Sequence, residues 1–114
     1  MAALTEGKYS GEFIVSEANG SRSREVVTVN ESGVLVAGTV LSAVAAGGYK
    51  AYDKTAEGEL AEAAAAILLA GVDATDGDVS AVAIVRDSEV ALADLTGIDT
   101  AGVADLLALG IVCR

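Results

Sequence analysis

The chain contains no histidine, no proline and no tryptophan, and it has a single cysteine. Aromatic residues make up only 4% of it, although apolar residues reach 53%. Each absence removes a class of function. Without histidine there is no imidazole base and no histidine-bearing zinc site. One cysteine cannot close an intrachain disulfide, and no CxxC pair exists for metal or redox chemistry. Basic residues are also scarce: seven against seventeen acidic ones, a formal net charge of −10 over 114 residues. Holding a phosphate backbone requires clustered Lys and Arg, so nucleic acid is not an expected partner. The longest apolar run, Ala63 to Ala70, is far short of the roughly 18 residues a membrane span needs. Met1 to Gly11 includes Glu6 and Lys8 and lacks the apolar stretch of a secretory signal. The expectation is a soluble protein made in the cytoplasm, with no membrane partner and no cofactor.

What remains is one domain's length of chain, too apolar to be disordered despite its charge. The charge is uneven. Lys8, Arg22 and Arg24 nearly balance Glu6, Glu12, Glu17 and Glu25 in residues 1–30, so the acidity belongs to the remainder. The first twelve residues have no period and read as an arm. Phe13-Ile14-Val15 is a short apolar run, and Asn19-Gly20 a turn. Glu25 to Asn30 reads as a strand, turned by Glu31-Ser32-Gly33. Val34 to Ala46 reads as extended, with a bend at Gly38. Gly47-Gly48 turns the chain into a short strand, Tyr49 to Tyr52. Ala56 to Ala70 is a helix by propensity, yet Ile67-Leu68-Leu69 also fits the start of a buried strand. Val79 to Arg86 is apolar on both faces and reads as a central strand, with Glu89 to Leu92 a further extended piece. Thr100 is positioned to cap a helix ending at Leu109, with Gly110 beyond its C-terminus. Ile111-Val112 then closes the chain as a strand.

The residues offer little chemistry. Asp73, Asp76 and Asp78 suggest calcium, but the spacing fails. If Gly77 is the sixth position of an EF-hand loop, the first, third and twelfth are Val72, Ala74 and Ala83. A turn between strands is the plainer reading. Cys113 has no histidine to activate it. No carboxylate pair stands apart for acid–base work, and Gly7-Lys8 lacks the rest of a phosphate loop. No catalytic, cofactor-binding or metal-binding residue is therefore assigned. Arg22 and Arg24 either meet an acidic partner or pair with the protein's own carboxylates. The segment at Phe13, the only phenylalanine, either folds back on its own body or adds to the sheet edge of another chain.

The run Gly11-Glu12-Phe13-Ile14-Val15-Ser16-Glu17-Ala18-Asn19-Gly20, followed by Ser21 to Glu25 and Val26-Val27-Thr28-Val29, resembles the opening of the lambda-type phage head decoration proteins. Later blocks agree in order: Leu35 to Leu41, Tyr49 to Asp53, Ala66 to Leu69 with Val72 to Asp78, Ala81 to Asp87 with Glu89-Val90, and the closing Leu106 to Arg114. Ser10 stands where relatives often carry proline. Ser21 replaces a larger residue, and Glu57 to Ala65 has its own Ala/Glu-rich character. The resemblance implies a mainly β, β-clip-like single domain (residues 16–114) with one short C-terminal helix and an extended N-terminal arm (residues 1–15). It favours a strand near Ala66 to Val72 over a helix. It also implies homotrimers on the outer surface of the virion capsid, stabilising the shell against internal DNA pressure, with the major capsid protein as partner. The arm residues Tyr9, Gly11, Glu12, Phe13, Ile14 and Val15 are then the expected capsid contacts, with Phe13 and Val15 supplying side-chain specificity. Two other readings stand beside this one: a tail or minor-head structural or adaptor domain, and a small carboxylate hydrolase.

Overall fold

The computed structural model describes residues 11, 13–18, 20, 22–30, 33–43, 48–52 and 64–114. Among them the elements run β1 (Ile14–Glu17), β2 (Arg24–Val29), β3 (Gly33–Leu35), β4 (Val40–Ala43), β5 (Tyr49–Ala51), β6 (Ala64–Leu68), β7 (Val72–Ala74), β8 (Val79–Ile84), β9 (Ser88–Val90), a single 3-10 turn (Leu92–Asp94), α1 (Thr100–Ala108) and β10 (Ile111–Cys113). The fold is mainly β, with one helix near the C-terminus. Strands β2, β5, β4, β6 and β8 close into a small barrel in that order. Beside it lie the three-stranded sheet β1–β9–β10 and the ribbon β3–β7. No described helix is long and apolar enough to cross a membrane.

Strand β8 is flanked on both edges. It pairs with β2 from Arg24↔Ile84 to Val29↔Val79, and with β6 through Ile67↔Ile84 and Leu68↔Ala83. That position explains its apolar residues on both faces. Strand β2 instead alternates, burying Val27 and Val29 while Val26 and Thr28 face outward. The barrel's shortest seam is between β2 and β5. It consists of the pair Val29↔Tyr49 and the Asn30 N–H donated to the Tyr49 carbonyl at 2.8 Å.

The expected single extended stretch from Val34 onward is two strands. Gly38 adopts φ +88°, and a Cβ there would lie 2.7 Å from the Asp94 carbonyl oxygen. This position therefore needs glycine. The chain turns at Ala37-Gly38, so β3 pairs with β7 while β4 pairs with β5 and β6. The Ala-rich segment resolves as a strand: β6 lies between β4 and β8, with Ala66, Ile67 and Leu68 fully buried. Two ladders of backbone hydrogen bonds and that burial outweigh a helix propensity worth only tenths of a kcal/mol per residue, roughly. The strand expected over Ala66 to Val72 is broken after Leu68 by a bend, and β7 starts at Val72. Residues 57–63 of the Ala/Glu-rich stretch lie outside the described residues.

Helix α1 is capped by Asp99, not Thr100. Asp99 is extended, and its Oδ1 accepts from Gly102 N–H at 2.6 Å and from the Tyr52 hydroxyl at 2.9 Å. Thr100 is the first helical residue. Gly110, at φ +85°, ends the helix as expected, its N–H donated to the Leu107 carbonyl.

Two apolar clusters result. One lies under α1 and gathers Phe13, Val40, Tyr52, Ile67, Ile84, Val90, Leu106 and Ile111 with their neighbours. The other fills the barrel with Val27, Val29, Leu41, Ala66, Leu68, Ala74, Ala83 and Val85.

Candidate functional site

The arm is where the sequence placed the partner contacts. Tyr9 and Glu12 lie outside the described residues. The other four divide sharply. Gly11 donates its N–H to the Leu69 carbonyl at 3.0 Å, and its own carbonyl accepts from Ile14 N–H at 3.0 Å. A tight turn thus delivers the chain into β1. Phe13 is completely buried in the cluster under α1, and its carbonyl accepts from Ala91 N–H at 2.7 Å. Ile14 pairs with Val90 and packs against the same cluster. Val15 falls at the irregularity in the β1–β9 register and is 56% exposed.

Of the two fates open to this segment, residues 13–17 take the first: they fold back, and β1 joins β9 of the same chain. The side-chain specificity expected of Phe13 is accordingly corrected. Its ring is enclosed by the protein's own core and offers another chain nothing to touch. Val15 keeps an outward side chain. The boundary drawn between residues 15 and 16 falls inside β1.

The joint between β1 and the barrel is polar, and sequence reasoning passed over its centre. Ser23 is fully buried. Its Oγ accepts from Ala18 N–H at 3.0 Å and donates to the Asp87 carbonyl at 2.7 Å. The neighbouring Asp87 adopts φ +47°, so the β8–β9 turn is held by this bond against its own backbone preference. A serine flanked by two arginines gives no hydrophobic or periodic signal for such a role.

The same joint uses the arginines. Arg24 grips Glu17 with two bonds, at 3.0 Å and 2.6 Å. Arg22 lies 3.7 Å from Asp87, Arg86 lies 3.8 Å from Glu25, and Arg114 lies 2.8 Å from Glu89. Arg22 and Arg24 thus pair with the protein's own carboxylates. The Arg24 hydrogen bond holds the Glu17 carboxyl below its ordinary value of 4.5. Glu89 is lowered in the same direction, first by Arg114 and then by the Ser16 hydroxyl.

The acidic turn after β7 is local structure. Asp73 Oδ1 accepts from Thr75 N–H at 3.0 Å, and the hydrogen bonding of Thr75 lowers the Asp73 carboxyl. Among the described residues, no group of three or more acidic or cysteine side chains is placed to hold a metal ion. Cys113 is half-buried in β10, and that burial pushes its thiol up, away from the reactive thiolate. What the described surface offers is contact, through exposed branched side chains such as Val15, Val26 and Val34.

The family model for bacteriophage lambda head decoration protein D matches residues 3–111. The chain belongs to that family. Comparison with curated proteins and with solved structures returns no significant match. A head decoration protein is a structural part of the phage virion and associates with its capsid. The family match therefore favours a capsid component over the tail and hydrolase readings.

Proposed function

We propose that this protein binds the outside of the expanded capsid as trimers and stabilises the shell against the pressure of packaged DNA. The observation that carries the reading is the extent of the family match, which begins at residue 3 and so takes in the arm as well as the β body. A β-clip architecture goes with this reading. The mechanism is selective binding. A ligand that prefers the expanded shell shifts the shell toward that state. At a hundredfold excess over its dissociation constant, each occupied site contributes about 2.7 kcal/mol. No bond is made or broken. The acidic body suits an outward position, since the packaged DNA is itself negative.

The arm of residues 1–15 remains the proposed contact, with Tyr9, Gly11, Glu12, Ile14 and Val15 along it. Main-chain hydrogen bonding to a capsid strand would supply affinity, and Val15 the outward side chain. Phe13 acts from inside, anchoring the root of the arm. Truncation should therefore stop before Gly11. Removing residues 1–10 leaves the Gly11–Leu69 bond and the Phe13 anchor in place, whereas removing 1–15 takes a core residue with it.

The test is co-sedimentation of the purified protein with empty expanded heads and with unexpanded heads of its phage. Saturable binding to expanded heads, lost on deletion of residues 1–10 and weakened by Val15→Asp, supports the reading. Equal binding of the truncated protein overturns the role of the arm. Binding to neither kind of head overturns decoration itself.

A further inference from the structure

Strand β9 is only three residues long, and each residue has a partner on both edges. Ile14, Ser16 and Glu17 of β1 face Val90, Glu89 and Ser88. From the other edge, Ile111, Val112 and Cys113 of β10 face Ser88, Glu89 and Val90. A two-stranded pair of this length is marginal alone, so the third strand is what makes a place for β1. Arg114 follows that third strand directly and fastens it to the end of β9. Its N–H donates to the Val90 carbonyl at 2.9 Å, and its carbonyl accepts from Leu92 N–H at 2.9 Å. Ala91, between those two, donates its N–H to the Phe13 carbonyl at 2.7 Å. Arg114 and Phe13 thus grip the same three residues from opposite edges.

The side chains repeat the arrangement. Glu89 Oε1 accepts from Arg114 Nη2 at 2.8 Å, and Glu89 Oε2 accepts from the Ser16 hydroxyl at 3.2 Å. A carboxylate already held at one oxygen has less rotamer freedom to lose when it accepts at the other. We infer that Arg114 is a positioning residue for the arm: acting through β9, it keeps β1 seated, and with β1 the point from which the arm leaves the body. The inference rests on the arm reading above and deepens it. Arg114 lies beyond the stretch that the family model matches. So short a sheet opens at small cost, and the apparent affinity for heads falls with the fraction of molecules in which β1 stays seated.

The test is amide hydrogen exchange of the free protein, followed by co-sedimentation with expanded heads where every variant is fully folded. Truncation after Cys113 removes all three Arg114 bonds, whereas Arg114→Ala removes only the one made by its side chain. Amides of β1 are expected to exchange about tenfold faster in the truncated chain, and about two- to threefold faster in Arg114→Ala. Arg114→Lys keeps the charge and should recover part of that loss. Ser16→Ala removes the other end of the Glu89 bridge, so combined with Arg114→Ala it should accelerate β1 by less than the product of the two. Head affinity should fall about threefold in the truncated chain. The control is Leu41→Ala, which destabilises the protein from inside the barrel and should bind heads as the wild type does. Should the truncated chain fail to fold, Arg114→Ala and its rescue by Lys decide. Unchanged exchange in β1 overturns the inference. So does an equal loss of head binding in Leu41→Ala, since general destabilisation would then account for it. Faster exchange in β1 with full head affinity overturns it as well, because the arm would then not depend on its seat. A wild type that binds no heads overturns the reading of function instead, and leaves the link between Arg114 and β1 to the exchange result.

Discussion

The cluster beneath α1 and the cluster inside the barrel are built from different residues and from different lengths of chain. The first holds the only phenylalanine and the buried Tyr52, and joins positions from Phe13 to Ile111. The second is made of Val, Leu and Ala from the barrel strands and β7, between Val27 and Val85. The first ties the two ends of the described chain together around a helix. The second is completed by strand ladders, and beyond it lies the ribbon with its exposed valines. Large side chains thus hold the root of the arm, while Val, Leu and Ala line the barrel.

Breaking the first cluster should cost most. Phe13→Ala is expected to destabilise by about 3–5 kcal/mol, and Leu41→Ala in the barrel by about 2–4 kcal/mol. Urea unfolding of both variants checks the order, and a larger loss for Leu41→Ala would reverse the comparison. At the seam between the clusters, Gly38→Ala sets a Cβ against the Asp94 carbonyl in a left-handed conformation. A loss of about 1–3 kcal/mol follows, readable as a lowered melting temperature. Smaller again is Asp99→Ala, which removes the helix cap and the acceptor of the Tyr52 hydroxyl. A loss of about 1 kcal/mol is expected, with faster amide exchange in the first turn of α1.

The last prediction concerns the joint between the regions and is read as a slope against pH. The Glu17 carboxyl is held below 4.5 in the folded protein. Its contribution is therefore fully present above the unfolded value and is lost as pH falls through the lowered folded one. Wild type minus Glu17→Gln stability should be constant near neutrality and shrink on acidification below about pH 4.5. A difference that does not vary with pH would remove the Arg24–Glu17 pair from the account.

Much of the fold was legible because alternation and turn residues are local signals. The strand read over Glu25 to Asn30 and found at Arg24–Val29, the two-sided strand from Val79 and the C-terminal helix closed by Gly110 all follow from neighbours in sequence. The failures were not local. Gly38 separates two strands because Asp94, far away in sequence, approaches its α-carbon. Asp99 displaced Thr100 as the cap, both being good caps by type, and Tyr52 gives Asp99 a second bond. Phe13 looks like a partner contact as long as Val90, Leu106 and Ile111 are not known to surround it. Ser23 gave no signal at all, since the burial of a serine is set by packing alone. The family was legible throughout, because ordered blocks survive such local misreadings.

The order β1–β9–β10 has a consequence for how the chain comes to be folded. Among the described residues, strand β1 pairs with residues 88–90, and that partner is flanked in turn by residues 111–113. A ribosome releasing the chain from its N-terminus has therefore to pass residue 113 before this sheet can form. Phe13 stays uncovered until then. Sheet closure waits on a long loop and is correspondingly slow. Until residues 88–113 have been made, nascent copies expose this apolar surface to aggregation.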